Sequence, residues 1–484
     1  MPLVAGLDFG GGAVKACVAD VESGAVLSVV QQATETSHPA PGRAEFEPDA
    51  WWGAASTAMR EAVAAADRPA ADYAAVTVTS LRQGYVLLDE EAEIGYGVVN
   101  SDRRGAAQLD RVRDTIGAER LYDITGHWSA PQLTLPKLLD EQQSAPERWD
   151  RTRTVLFVHD WSLWRLSGAR VSEPSMASAG QLLDIRARAW ATDLLDELGL
   201  PTGVLPPLVE PASVVGELRD AGLGLPLGTP VVAGGADTQM AAAGAGGLGR
   251  GVVSVVAGTT TPLQASPDEV PADPLRHPWV STHLLSDRWA VETNAGYTGM
   301  SFDWLAGLTG RSVAELADEA ALSEPGAAGI SAVVAARSWN EEAWSNRAPN
   351  ALVGFEPRHH RADVARAFLE AHAYGIRGNL EDLERATGEH LGQVCLLGGA
   401  ARSRIFVQLV ADVTGRPISQ IDSAYPAGKA FAWLAARAEG TDASPPTFSG
   451  ETVEPQLSER YEEAYMRYSE AGDVVQRELT GWAV

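Results

Sequence analysis

Asp237 is the residue of this chain best placed to do chemistry, because it follows the apolar run Pro230–Ala233 and two glycines. Uncharged β-branched residues between a proline and two glycines predict a short buried strand, and the small residues after Asp237 predict a helix. A carboxylate at such a junction is costly to bury unless a cation or a proton-bearing substrate meets it. An aspartate that only caps the helix is the alternative, and both interpretations stay open.

A second candidate lies near the start of the chain, where the predicted strand Leu3–Phe9 ends at three glycines, Gly10–Gly12. Successive N–H groups in such a turn can form an anion-binding nest, and we expect the glycines to adopt positive φ. Asp8 could hold a metal-bound water, and Lys15 could supply positive charge. The spacing fits neither the dinucleotide fingerprint nor the P-loop. A glycine hairpin without a ligand is the alternative.

Two later segments repeat this pattern of a buried strand followed by small residues. The run 251–257 precedes Gly258, Thr259 and Thr260, and the run 394–397 precedes the segment Gly398–Ser403. The latter combines a strand, a glycine turn and a helix, which is compatible with binding a nucleotide at the helix N-terminus. The turns at Gly10–Gly12 and Gly258–Thr260 together suggest two related halves of the chain that bind one polyphosphate between them.

Polar side chains also interrupt apolar strands at two further places. Arg82 and Gln83 stand between two predicted strands, and Asn100, Asp102 and Arg104 follow the second one. Donors and acceptors in such positions could bind the hydroxyl groups of a substrate. A solvated hairpin tip and a surface charge cluster are the alternatives.

The bulk properties limit the elements and partners that go with these residues. A chain of 484 residues exceeds what one core organises, so two or three domains are expected. A net charge of −26 argues against nucleic acid and anionic membranes as partners. Cys17 and Cys395 lie far apart in apolar runs and predict free thiols in a reducing compartment. Without a basic leader or an apolar run of about 20 residues, we expect a cytoplasmic protein.

Taken in chain order, six segments resemble the FGGY carbohydrate kinases of the actin–hexokinase–heat-shock ATPase superfamily. They are similar to the first phosphate loop, the proline-glycine to Trp-Trp segment, the sugar segment, the catalytic segment, the second phosphate loop and the adenosine loop. The matching segments are Asp8–Gly12, Pro41–Trp52, Asn100–Arg104, Gly234–Gln239, Gly258–Thr259 and Leu397–Ser403. The resemblance implies an α/β fold of two lobes, the actin-like ATPase (ribonuclease H-like) fold, with lobes at 1–245 and 246–484 and a cleft between them.

Several residues depart from the family pattern. Gly11 and Gly12 stand where the first phosphate loop usually carries Thr or Ser, and Ala400 replaces a third glycine of the adenosine loop. Asn100 replaces the usual tryptophan, and Arg82-Gln83 stands where xylulokinases usually show Met-His. These last changes look more like the autoinducer-2 kinase branch.

The resemblance implies an ATP-dependent kinase that transfers the γ-phosphate to a hydroxyl of a small sugar, a ketose such as xylulose or a related linear compound. Asp237 would be the general base, and Asp8 with Asp237 would serve Mg²⁺. The implied sugar-binding residues are Arg82, Gln83, Asn100, Asp102 and Arg104. The implied ATP-binding residues are Gly10, Gly11, Gly12, Lys15, Gly258, Thr259, Thr260, Gly398, Gly399, Ala400, Arg402 and Ser403. A non-catalytic ATP- or sugar-binding sensor of the same fold is the alternative, and a homodimer stays an open candidate for the oligomeric state.

Overall fold

A computed structural model of the chain describes residues 2–273, 275–341, 349–421, 425–448 and 450–480. The chain divides into two compact units. The first comprises Met1–Gly244, Val280–Trp289 and Ala424–Thr447, and the second comprises Ala245–Trp279, Ala290–Ser423 and Phe448–Val484. The sequence predicted one boundary after residue 245, whereas two segments from later in the chain pack into the first unit.

The strands, numbered in chain order, are β1 (Leu3–Phe9), β2 (Ala13–Asp20), β3 (Val26–Ala33), β4 (Glu45–Phe46), β5 (Tyr73–Ser80), β6 (Tyr85–Leu88), β7 (Glu93–Val98), β8 (Thr154–Phe157), β9 (Leu183–Asp184), β10 (Ala189–Trp190), β11 (Val214–Glu217), β12 (Pro230–Ala236), β13 (Val252–Val256), β14 (Pro262–Ala265), β15 (Trp279–Thr282), β16 (Trp289–Asn294), β17 (Ser331–Val333), β18 (Ala351–Val353), β19 (Gln393–Leu397), β20 (Ile418–Gln420) and β21 (Glu451–Val453).

The α-helices of the described residues are α1 (Pro48–Ala66), α2 (Leu109–Ile116), α3 (Ala118–Thr125), α4 (Thr134–Ser144), α5 (Pro146–Arg151), α6 (Val158–Ser167), α7 (Pro174–Ala179), α8 (Thr192–Glu197), α9 (Asp237–Gly244), α10 (Thr298–Thr309), α11 (Val313–Ala320), α12 (Arg361–Thr387), α13 (Arg404–Thr414), α14 (Ala427–Ala438) and α15 (Ser458–Leu479). Among these residues no helix is both long and apolar enough to cross a membrane.

The main sheet of the first unit is mixed and runs in the order β11-β12-β5-β1-β2-β3. Its centre is parallel, because β5 pairs in parallel with both β1 and β12. Strands β1, β2 and β3 form an antiparallel meander at one end of this sheet. Helices α1 and α6 contribute Trp52 and Trp161 to the core beside Phe9. A smaller sheet in the order β4-β7-β6-β8 belongs to the same unit.

The sheet of the second unit contains the sequence β16-β14-β13-β19-β20-β21. Its middle strands β13, β19 and β20 are parallel, and β14 and β21 pair with them in antiparallel fashion. Strands β13 and β19 are largely apolar and buried on both faces, as expected where helices cover a sheet. Both units are therefore α/β domains on mixed sheets, which confirms the predicted fold class.

Candidate active site

Asp8 and Asp237 lie at the same edge of the main sheet of the first unit, one on each side of β5. Thr79 of β5 pairs in register with Asp8 of β1 and with Gly235 of β12. These strands are parallel, so their carboxyl ends meet at one edge, and neighbouring strands are about 4.8 Å apart. This edge of an α/β sheet is the usual place for a ligand.

Asp237 is the first residue of α9, directly after β12. Its side chain is 37% exposed, and its Oδ1 atom lies 3.8 Å from Nε of Arg82. Oδ1 also accepts a hydrogen bond of 2.8 Å from the N–H of Thr238. The carboxylate is thus held at a helix start beside a cation and remains partly open to solvent, which fits a reactive group better than a buried structural aspartate.

Asp8 stands in a different environment, because it is largely shielded from water. Burial raises its pKa above the ordinary value, while the charge of Lys15 and a hydrogen bond with Tyr425 act in the opposite direction. The ammonium group of Lys15 lies 5.8 Å from the ring centroid of Tyr425. Sequence reasoning missed Tyr425, since it comes from near the other end of the chain and no local pattern links it to Asp8.

The first glycine turn differs in conformation from the prediction. None of Gly10, Gly11 and Gly12 has a positive φ, so the expectation of left-handed glycines is wrong. The N–H of Gly10 closes the turn with Ala13 O at 3.0 Å and is used inside the protein. Gly11 and Gly12 are exposed at the tip of the turn, and their binding of phosphate stays a prediction.

The glycine turn also approaches the segment predicted to bind a sugar. A Cβ atom built on Gly11 would lie 3.8 Å from Oδ1 of Asn100, while one on Gly12 would meet nothing within 4 Å. Two pairs of candidate residues in the first unit are therefore close in space: Gly11 lies near Asn100, and Arg82 lies near Asp237.

A buried lysine, Lys137, ties together two of these segments. Its Nζ atom donates to Val99 O at 2.9 Å and to Gln83 O at 3.3 Å, and Thr134 Oγ1 also donates to Gln83 O, at 3.1 Å. Gln83 itself is buried and has a φ of 67°, an uncommon value for a residue other than glycine. A lone lysine in an otherwise apolar helix start was the signal that could have marked Lys137.

Asp102 and Arg104 are buried in a cluster of charges rather than presented at the surface. The Arg104 guanidinium pairs with Asp102 at 2.9 Å, with Glu45 at 2.6 Å and with Glu141. The second carboxylate oxygen of Asp102 accepts the N–H of Ala44 at 2.6 Å. Both residues were predicted to face the sugar. That role stays a prediction; in this structure their charges pair with each other and with neighbouring carboxylates, and Asn100 is the partly exposed member.

The ATP-binding candidates of the second unit lie in the loops that follow two neighbouring parallel strands. Gly258 follows β13 and Gly398 follows β19, and the N–H of Ala400 donates to Ala257 O at 3.2 Å. Gly398 has a φ of 92°, and an added Cβ would lie 2.5 Å from Ala257 O, so this position requires glycine. The remaining candidates surround these turns: Thr259 and Arg402 are exposed, and Thr260, Gly399, Ala400 and Ser403 lie on the same two loops.

The donor set at the sheet edge fits Mg²⁺ that arrives with a nucleotide. Among the described residues no group of three or more His, Cys, Asp or Glu side chains could hold a metal ion. Mg²⁺ is commonly bound through one or two carboxylates together with water and substrate phosphates, and Asp8 and Asp237 offer two. The site is therefore one that a phosphate ligand would complete.

Comparison with known proteins links this geometry to one family. Residues 3–244 match the N-terminal domain of the FGGY family of carbohydrate kinases, and residues 253–438 match its C-terminal domain. The chain is 29% identical over 442 residues to the autoinducer-2 kinase of Enterobacter sp., covering 86% of this chain and 82% of that protein.

Solved structures show the same likeness over nearly the full length. A xylulose kinase from Rhodospirillum rubrum superposes with a TM-score of 0.88 at 26% identity, covering 99% of both chains. A xyloylose kinase from Brucella ovis gives a TM-score of 0.89 at 26% identity, covering 98% of this chain and all of the other.

Proposed function

Because the chain belongs to the FGGY family of carbohydrate kinases, and is thus an ATP-dependent phosphotransferase acting on an alcohol group, we propose that its acceptor is a small ketose such as xylulose or a related linear polyhydroxylated compound. The similarity to xylulose kinases and to autoinducer-2 kinase supports this acceptor class. The pairing of Arg82 with Asp237 is the structural observation that carries the proposal.

In the proposed reaction, Asp237 accepts the proton of the attacking hydroxyl as that oxygen bonds to the γ-phosphorus and the bond from γ-phosphorus to the leaving oxygen of ADP breaks. A half-exposed carboxylate at the start of α9 can reach a substrate hydroxyl without unfolding any element. Phosphoryl transfer depends on placement and charge neutralisation, so the remaining groups bind and orient. Arg82 and Asn100 are proposed to hold sugar hydroxyls.

The nucleotide is proposed to bind through backbone groups. In the first unit, Gly11 and Gly12 are proposed to contact phosphate. In the second unit, the loops that begin at Gly258 and Gly398 are proposed to contact phosphate and adenosine. Mg²⁺, when bound through Asp8, would neutralise phosphate charge and leave the Asp237 carboxylate free to accept the proton. Lys15 and Tyr425 would hold the Asp8 carboxylate in place.

A substrate screen combined with two acid variants tests the proposal. Ketoses, polyols and linear compounds are screened for ADP formation, and Asp237→Asn is then measured with the best acceptor. Loss of a general base costs about 10²- to 10⁴-fold in rate, so kcat should fall by that order while MgATP affinity changes little. Asp8→Asn should raise the Mg²⁺ concentration needed for half-maximal rate.

Asp110→Asn is the matched control, since Asp110 is exposed and pairs only locally with Arg113. It should leave kcat unchanged. Near-normal turnover of Asp237→Asn with every accepted sugar would refute the catalytic assignment.

A further inference from the structure

Strand β12 departs from regular pairing immediately before Asp237. Its register with β5 shifts between Val232 and Gly235. At the shift, a Cβ atom on Gly234 would lie only 1.8 Å from Val78 O, so the two backbones approach closely and only glycine fits. Such a bulge re-aims the chain that follows it.

The backbone N–H and C=O groups of this irregular stretch form hydrogen bonds with side chains as well as with the neighbouring strand. The N–H of Gly234 donates to Nε2 of His159 at 3.2 Å, and the N–H of Ala236 donates to Oγ of Ser175 at 3.0 Å. The hydroxyl of Thr79 donates to Gly235 O at 2.7 Å. Three consecutive residues before Asp237 are therefore each held by a buried side chain.

The contact of His159 fixes the tautomer of its ring. Since Nε2 accepts a hydrogen bond from Gly234, the ring proton lies on Nδ1, which donates to Oδ1 of Asp160 at 2.9 Å. Oδ2 of Asp160 in turn accepts the hydroxyl proton of Ser172 at 2.6 Å. His159, Asp160 and Ser172 are all fully buried, so this chain of bonds is shielded from water.

Glu173 fixes the direction of the second contact. Its Oε2 atom accepts the N–H of Ser175 at 2.9 Å, the N–H of Met176 at 3.2 Å and the hydroxyl proton of Ser175. With its proton committed to Glu173, the Ser175 oxygen can only accept from Ala236. Glu173 is fully buried, and this burial raises its pKa to about 7.

We propose that His159 and Ser175, supported by Asp160 and Glu173, are positioning residues that fix the bulged backbone of Gly234–Ala236 and thereby set the place of the Asp237 carboxylate. The inference rests on the proposed role of Asp237 as general base. A rotation of this backbone would carry Asp237 away from the attacking hydroxyl, and a misplacement of about 1 Å can cost roughly 10²-fold in rate.

Paired substitutions distinguish the effect of losing a hydrogen-bond acceptor from the effect of changing the volume of the side chain. Ser175→Ala removes the oxygen that accepts from Ala236, whereas Ser175→Thr keeps it. His159→Leu removes the acceptor for Gly234, whereas His159→Gln retains an oxygen at similar reach. Ser162→Ala is the matched control, because Ser162 is equally buried on the same helix but bonds only to Val158 O.

Single-turnover phosphoryl transfer and both KM values are measured for each variant. We expect Ser175→Ala and His159→Leu to lower the transfer rate by about 10- to 100-fold with both KM values little changed. Ser175→Thr, His159→Gln and Ser162→Ala should retain most of the rate. Equal losses in Ser175→Ala and Ser175→Thr, or loss of thermal stability with no change of rate, would overturn the inference.

A double mutant tests this positioning role separately from the proposed role of Asp237 as general base. If Ser175 acts through Asp237, adding Ser175→Ala to Asp237→Asn should produce almost no further loss of rate. An active Asp237→Asn refutes the proposed base, while a slow Asp237→Asn beside a fully active Ser175→Ala refutes only the positioning role. Thr79→Val, which removes only the bond to Gly235 O, replaces Ser175→Ala if that variant does not fold.

Discussion

Nε of Arg82 lies 3.8 Å from Oδ1 of Asp237, although the two residues come from different strand ends on the sheet edge. At this separation the two charges attract, yet the distance exceeds that of a hydrogen bond, and the carboxylate is still 37% exposed. A substrate hydroxyl can therefore approach Asp237 while Arg82 remains beside it.

Replacing Arg82 by Ala should raise the KM for the sugar by about 10-fold or more and change the KM for ATP much less. An arginine that contacts a bound hydroxyl contributes on the order of 1.5–3 kcal/mol through a charged hydrogen bond. Steady-state kinetics with each substrate varied in turn provides the measurement.

Arg120→Ala is the control for Arg82, because Arg120 forms an exposed ion pair with Glu197 and such pairs contribute little. Equal changes in both KM values, or none, would place Arg82 outside the sugar site.

Gly11→Thr tests whether backbone groups are enough for phosphate binding. Gly11 has no positive φ, and the new Cβ would make an ordinary contact with Asn100, so threonine fits. We expect ATP KM to change by less than about threefold, because a nest of N–H groups needs no side chain, and we expect sugar KM to rise.

Gly53→Thr, on the exposed side of α1 where an added Cβ meets nothing within 4 Å, is the control and should leave both KM values unchanged. A sharply lower ATP KM or a much higher kcat in Gly11→Thr would mean that the natural loop is impaired for want of a hydroxyl.

Gly398→Ala should raise ATP KM strongly and leave sugar affinity nearly intact. Its φ of 92° disfavours any side chain, and the added methyl would lie 2.5 Å from Ala257 O, which belongs to rigid backbone. Isothermal titration with ATP and with the sugar separates the two affinities. Gly307→Ala, on the exposed side of α10 where nothing lies within 4 Å, is the tolerated control. An unchanged ATP affinity in Gly398→Ala would exclude this loop from nucleotide binding.

Lys137→Met should raise sugar KM while sparing ATP KM, because it releases the carbonyls of Gln83 and Val99 that Lys137 holds. Methionine fills a similar volume without a donor. Thr134→Val, which removes only the second bond to Gln83 O, should have a smaller effect in the same direction.

We also expect Lys137→Met to change how the stability of the protein depends on pH. Burial lowers the pKa of Lys137 from 10.5 to about 7, with Asp102 opposing and Arg104 reinforcing the shift. Between these values the unfolded chain binds the proton and the folded chain does not, so the free energy of unfolding should rise with pH across this window. Urea unfolding at several pH values should show that Lys137→Met lacks this rise; an identical slope in both proteins would contradict it.

Local patterns in the sequence were enough to predict the strands that end beside Asp8 and Asp237, whereas the fold class was implied by the family resemblance. A buried strand that ends at a glycine involves only consecutive residues. The turns after β1, β13 and β19 could therefore be predicted without knowledge of tertiary contacts. The resemblance of six ordered segments added the family, because motif order is itself a property of the sequence.

Tertiary structure decided which polar side chains stay accessible and what holds them. Arg104 is buried because Glu45, Asp102 and Glu141 converge on it, and Tyr425 reaches Asp8 only because the segment that carries it folds back onto the first sheet. Such partners are distant in sequence, and hydrophobic periodicity carries no information about them. The sequence determined where Asp237 stands in the chain, whereas the bulge of β12 and the side chains of His159 and Ser175 decided where its carboxylate points.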